Sequence, residues 1–298
     1  MSSLRSRCNS DERETVSVNT NKINFQNIPV QAGIISNIIN VDILSHNCFQ
    51  KLDDLISSDQ GVASLVLRVV NSALYSRGNK VATIPLAISL LGYSVLRSLA
   101  LLAFSRSFFS HTKNAQFRLH IWQHSLLTAI ASQNICQLLG NDKLADEAFI
   151  AGLLHDTGKV LMFTHNPVLY GQVLDLVLEK NCASAEAELR FFGFDHYQTG
   201  LEAVKEWKLP VRFNNYMGED LNRQGSVIHA DETLLSLMAA NYLVKASGTG
   251  AKPTPEYDVK IAALQSFGLN AEVSEELLKN QFIESLMENE IYKLCANI

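Results

Sequence analysis

From Ile28-Pro29 onward, apolar residues fall at three- and four-residue intervals and the chain reads as a succession of helices. Ile34, Ile35, Ile38 and Ile39 share one helical stripe, and Phe49, Leu52, Leu55 and Ile56 share another. Ser58-Asp59 offers a cap before Val62, Leu65, Val66, Val69 and Val70, and that helix is expected to end near Asn71-Ser72. Thr83-Ile84-Pro85 restarts a helix with proline in the first turn, where a missing N–H costs nothing. Gly92 is expected to end it in a left-handed conformation, and Ser94 to cap the next helix, Val95 to about Phe109. Valine and isoleucine favour strands by propensity, but here they do not alternate, so the spacing decides for helix.

The same reading continues towards the C-terminus. A long helix is expected from about Phe117 to Leu139, with Gly140 just past its end. Ala145 to Leu154 follows, closing on His155-Asp156-Thr157-Gly158-Lys159, and then Pro167 to Lys180 and Ala183 to Phe192. Asp195 and Gln198 have capping-box spacing for a helix that stops at Trp207-Lys208-Leu209-Pro210. Thr233 to Ala246 is a further apolar helix, stopped at Ser247-Gly248-Thr249-Gly250. Two short helices and a polar linker are expected after Pro253 and Pro255. The predicted fold is all-α.

Composition narrows the function classes. Only 18% of residues are charged, which leaves apolar surface for contacts with other proteins. The net charge of -5, without a Lys/Arg stripe, argues against binding nucleic acid. Cys8, Cys48, Cys136, Cys182 and Cys295 are scattered singly, as expected of reduced thiols. Residues 1 to 22 are polar, read as a flexible tail, and contain no apolar signal segment. The greasiest stretch, Val95 to Phe104, is too short to span a bilayer, so the expected compartment is the cytoplasm.

Three stretches stand out together. The first is Leu67-Arg68-Val69-Val70-Asn71-Ser72-Ala73-Leu74-Tyr75, and the second is Ile84-Pro85-Leu86-Ala87-Ile88-Ser89-Leu90-Leu91-Gly92. The third runs from Trp122-Gln123-His124-Ser125 through Ala151 to Lys159 and on to Gly193-Phe194-Asp195-His196, Gly200 and Trp207 to Pro210. Together they resemble the HDOD family, a degenerate relative of the HD-type metal-dependent phosphohydrolases, and the resemblance implies a compact multi-helix HD-like domain with an N-terminal helical subdomain. It covers roughly residues 27 to 246, and the chain is read as a tail (1–22), an N-terminal half (23–112), an HD-like half (113–250) and a C-terminal helical extension (251–298). It also implies a bacterial role in signal transduction.

The catalytic relatives hold one or two divalent metals with a histidine, a His-Asp pair and a distant aspartate. By resemblance the matching residues are His124, His155 and Asp156, with His196 matching an additional histidine and Lys159 a lysine that meets phosphate. Imidazole and carboxylate suit Fe, Mn, Zn or Ni. The last aspartate is replaced by Asn241, whose amide oxygen carries no charge. The paired histidines expected after the Leu-Pro turn are missing, with Phe213-Asn214-Asn215-Tyr216 in their place. His229 and Asp231 are either a displaced substitute or a surface turn. The glycine-tyrosine-proline loop of cyclic-di-GMP hydrolases is also absent, which argues against that activity.

Blander roles stand beside these. His155-Asp156 is either a helix-terminal pair bonded to backbone or an inherited metal site. His124, in register with Leu127, Ile130 and Ala131, points inward and either ligates metal or hydrogen-bonds Asp156. His196 is either a ligand or a first-turn helix residue, and Lys159 either meets phosphate or complements its helix end. Asn71 and Ser72 are expected to satisfy backbone groups at a turn. Two functions follow: a non-catalytic regulatory module that binds signalling proteins and keeps a remnant metal site, or a metal-dependent phosphohydrolase acting on a nucleotide or other phosphate ester. In the second, Asp156 and Lys159 would carry the chemistry.

Overall fold

The computed structural model describes residues 23, 31–41, 45–75, 78, 80–109, 112–221, 231–279 and 282–297. The expected tail and His229 lie outside them. Side-chain caps set many helix starts. In the N-terminal half the helices are α1 (Gln31–Asn40), α2 (Cys48–Ser57), α3 (Gln60–Val70), α4 (Ile84–Leu91) and α5 (Tyr93–Phe109). The Asp59 carboxylate accepts from the Val62 N–H and the Thr83 hydroxyl from the Leu86 N–H, so α3 and α4 start where their caps place them. Asn71 closes the turn between them. Its amide donates to the carbonyls of Leu67 (2.7 Å) and Val81 (2.8 Å), and its oxygen accepts from the Val81 N–H (2.8 Å).

Ser94 does not cap α5, which already begins at Tyr93. Gly92, at φ 83° and ψ 165°, is not left-handed helical but turns the chain outright. Its N–H donates to Ile88 (2.8 Å) and its carbonyl accepts from Leu96 (3.3 Å), so one glycine serves both helix ends.

Next along the chain come α6 (Ala115–Phe117), a π-wound turn (Arg118–Gln123), α7 (His124–Leu138), a 3-10 turn (Asp142–Leu144), α8 (Ala145–Leu154) and α9 (Thr157–His165). Then come α10 (Pro167–Lys180), α11 (Ser184–Phe192), α12 (His196–Glu206), α13 (Phe213–Met217) and α14 (Glu232–Ala246). The single helix expected from Phe117 to Leu139 is thus widened by a π turn just before His124. Helix α9 was not anticipated: the chain leaves α8 for only His155 and Asp156 before winding again.

Helix α7 is central, buried from His124 to Ser132 and packed between α8 and α14. Helix α12 lies on α9, α1 and α3 lie on α5, and α5 meets α8 to join the halves. A cavity of about 30 Å³ remains at that junction, lined by Ile35, Ser105, Trp122, Leu154, Thr157 and Trp207.

Among the described residues four helical segments rather than two follow α14: α15 (Tyr257–Ser266), α16 (Ala271–Lys279), α17 (Phe282–Met287) and α18 (Glu290–Cys295). They dock on the core, α17 against α7 and α18 against α3. Among the described residues there is no strand, and no helix is long and apolar enough to cross a membrane.

Candidate metal centre

Three side chains that could ligate a cation converge where α7 begins and α8 gives way to α9. The ligand atoms of His124, His155 and Asp156 all lie within 4.8 Å of one another, and all three residues are buried. His124 Nε2 is 3.2 Å from His155 Nε2, and Asp156 Oδ2 is 3.6 Å and 3.4 Å from these two nitrogens. The far nitrogen of each ring is held by backbone: His124 Nδ1 by the Thr249 carbonyl (2.9 Å), His155 Nδ1 by the Gly152 carbonyl (2.8 Å). A carbonyl only accepts, so both Nδ1 atoms carry the proton.

Both Nε2 lone pairs therefore face each other and the carboxylate. Burial lowers both imidazoles despite the nearby Asp156, His155 to about 4, so near neutrality neither Nε2 is protonated. Three acceptors pointing at one spot repel, and the cation bonded there among the described residues, the Lys159 ammonium, reaches Asp156 and neither imidazole. The donor set thus fits a divalent metal, with backbone carbonyls fixing the tautomers from outside.

Lys159, in the first turn of α9, does not complement a helix C-terminus. Its ammonium is 2.9 Å from Asp156 Oδ2 and 2% exposed. Burial would raise the Asp156 carboxyl, but His155, Lys159 and His124 hold it well below its ordinary value. Beyond Lys159 lies a second buried group that the sequence reading missed. Glu188, on the inner face of α11 beside Ala187, accepts from the Tyr170 hydroxyl (2.8 Å), the His196 N–H (2.8 Å) and His196 Nδ1 (2.5 Å). Burial raises Glu188, while His196, Lys159 and Tyr170 outweigh it and keep the carboxyl below its usual range. The available signal was a glutamate one helical turn before Phe192 on an otherwise apolar face.

His196 is both a first-turn residue and a buried one. It stands outside the three-residue cluster, yet lines the same cleft as His155, Asp156, Asn241 and Lys245. Gly158 brings it there: a Cβ at that position would lie 2.0 Å from the His196 carbonyl oxygen, so only glycine lets α12 approach α9 so closely. Asn241 is 1% exposed and its amide oxygen has no hydrogen-bond partner among the described residues. Lys245, one turn further along α14, is lowered to about 8 by burial and by Lys159. Asp231 is occupied as the cap of α14, accepting from the Leu234 N–H (2.7 Å), and does not join the cluster. The cleft itself is about 10 Å³, room for little more than a water molecule.

The HDOD domain model matches residues 28–220 of this sequence. The chain belongs to the HDOD family. An uncharacterized protein of Treponema pallidum is 22% identical over 156 residues, which cover 52% of this HDOD chain and 30% of that relative. The chain thus matches under a third of the curated relative's length. Among solved structures, an HDOD domain protein of unknown function from Geobacter sulfurreducens superposes with a TM-score of 0.70 at 21% identity, covering 90% of this chain and 94% of that one. A candidate phosphohydrolase from Shewanella amazonensis gives 0.61 at 21%, covering 87% and 92%. A candidate signal transduction protein from Marinobacter aquaeolei gives 0.62 at 18%, covering 90% and 59%. At these identities the likeness is one of HDOD fold.

Proposed function

We propose that this HDOD chain is a cytoplasmic regulatory module that contacts signalling proteins and holds one divalent metal at His124, His155 and Asp156 without turning over a phosphate ester. The observation that carries it is the convergence of two neutral imidazole nitrogens and one carboxylate oxygen within a buried cluster. When bound, the metal supplies positive charge that ties α7 to the α8–α9 break. The two histidines and Asp156 orient it, and the Thr249 and Gly152 carbonyls fix the rings. Fe, Mn, Zn and Ni all suit such donors.

Two features favour binding over turnover. Among the described residues the cleft measures about 10 Å³, less than a phosphoryl group fills. Asn241 also offers an uncharged oxygen, which leaves Asp156 as the one carboxylate in the cluster. For partner contact, α2 and α4 pack together and leave Phe49, Leu86 and Leu90 exposed.

A second reading, metal-dependent phosphohydrolase, is favoured by the cleft's own chemistry. Lys159 beside Asp156 and His196 oriented by Glu188 are groups that could meet phosphate and accept a proton. Elemental analysis of purified protein, with phosphoesterase assays in added Mn, separates the readings. Stoichiometric metal without turnover supports the regulatory module. Turnover that disappears in Asp156→Ala supports the hydrolase. Protein that takes up no metal under any loading condition refutes both.

A further inference from the structure

His124 does not stand on ordinary helix. The six residues before it, Arg118–Gln123, are wound as a π turn, a rare form that occurs mostly as single-turn bulges inside α-helices. Its surroundings come from the far end of the chain. The Gly250 N–H donates to His120 Nδ1 (3.1 Å), and the buried Trp122 indole N–H donates to the Cys295 carbonyl (2.9 Å). The Tyr292 hydroxyl donates to the Gln123 side-chain oxygen (3.2 Å), and His124 Nδ1 donates to the Thr249 carbonyl (2.9 Å). Four of five successive residues, 120 and 122 to 124, are thus gripped from positions 249 to 295. Helix α17 packs on α7 beside them.

The fit is close at the ring itself. Gly250 has φ +94°, and a Cβ there would lie 2.6 Å from His124 Nδ1. The glycine-threonine-glycine stop after α14 is therefore pressed against the imidazole of a residue 125 positions earlier. Every gripping residue lies beyond the segment matched by the HDOD model, which ends at 220.

We propose that the segment from Thr249 to the C-terminal helices is a clasp that holds Arg118–Gln123 in its π winding and so aims His124 Nε2 at the metal position. The clasp rests on the reading of His124 as a ligand. A π turn contains one residue more than α winding would use. If it relaxed, the chain on one side would rotate by about 100°, and the His124 ring would leave the cluster. Thr249, Gly250, Trp122 and Tyr292 are positioning residues: they set the direction of a ligand without meeting the metal.

The test uses the full-length chain carrying Trp122→Phe with Tyr292→Phe, which removes two donors and leaves an aromatic ring at each position, and separately Gly250→Ala. Two signals are read. One is the slowly exchanging His124 imidazole N–H in nuclear magnetic resonance spectra of the metal-free protein. The other is cobalt affinity by competition with a chelator. The clasp predicts that the double variant keeps its helical circular dichroism, loses the His124 N–H signal and binds cobalt at least tenfold more weakly. If Gly250→Ala fails to fold, the double variant decides alone. An unchanged N–H signal in the double variant overturns the clasp, as does a lost signal with cobalt affinity within twofold of wild type. If the wild type binds no metal but the double variant still loses the signal, the metal reading falls and the clasp stands.

Discussion

Acid should unfold the metal-free protein through its histidines before its carboxylates. His155 is neutral in the native cluster and is protonated only near pH 4, whereas the unfolded chain takes that proton near 6.5. Between those values the unfolded state binds more protons, so stability falls as pH falls. At about 1.4 kcal/mol per pH unit the gap amounts to about 3 kcal/mol from His155 alone. His124 is displaced in the same direction and adds to the loss. That is a large part of the 5–15 kcal/mol (about) that keeps an ordinary domain folded. Asp156 and Glu188, both held low, give up their contribution only below their ordinary values of 3.8 and 4.5, so the two windows separate. Urea unfolding in chelator, repeated from pH 7.5 to about 4.5, measures the slope. Unfolding should take up about one proton near pH 6.5, rising towards two about one pH unit lower. A stability that stays level between pH 7 and 5 would mean an imidazolium already sits in the native cluster. The converging-acceptor argument for a metal would then be wrong.

Other substitutions test separate parts of the site. Gly158→Ala drives a Cβ into the His196 carbonyl and should cost about 3 kcal/mol, seen as a thermal midpoint several degrees lower. Asn71→Ala removes three hydrogen bonds across the α3–α4 turn and should lower the urea stability by about 2 kcal/mol without changing metal content. Asn241→Asp places a charge where the unpartnered amide oxygen now sits. It should tighten metal binding by roughly tenfold in chelator competition and destabilise the metal-free form through repulsion with Asp156.

Where the determinants were local, the sequence was readable. Asp59, Thr83 and Asp195 each place a side-chain oxygen one residue before an apolar-periodic run, and each caps the helix that follows. The inward register of His124 with Leu127 and Ile130 put it in the core, where it is fully buried. What escaped depends on partners far along the chain. The π turn is held by Gly250, Tyr292 and Cys295, more than a hundred residues away, and two of the decisive acceptors, Thr249 and Cys295, act through backbone carbonyls that any residue type would provide. Helix α9 was hidden because Thr157-Gly158-Lys159 looks like a stop. The glycine is there for the approach of α12 rather than to end a helix. Glu188 was overlooked as one more charge on an amphipathic helix, since the hydroxyl and imidazole that satisfy it come from α10 and α12.

The cavity at the junction of the halves has a practical corollary. It is flanked by both Trp122 and Trp207, and the chain contains two tryptophans. The emission of the native protein therefore originates at the seam where α1 and α5 meet the HD-like helices. Any partner or ion that shifts one half against the other would register in the fluorescence without a label being attached.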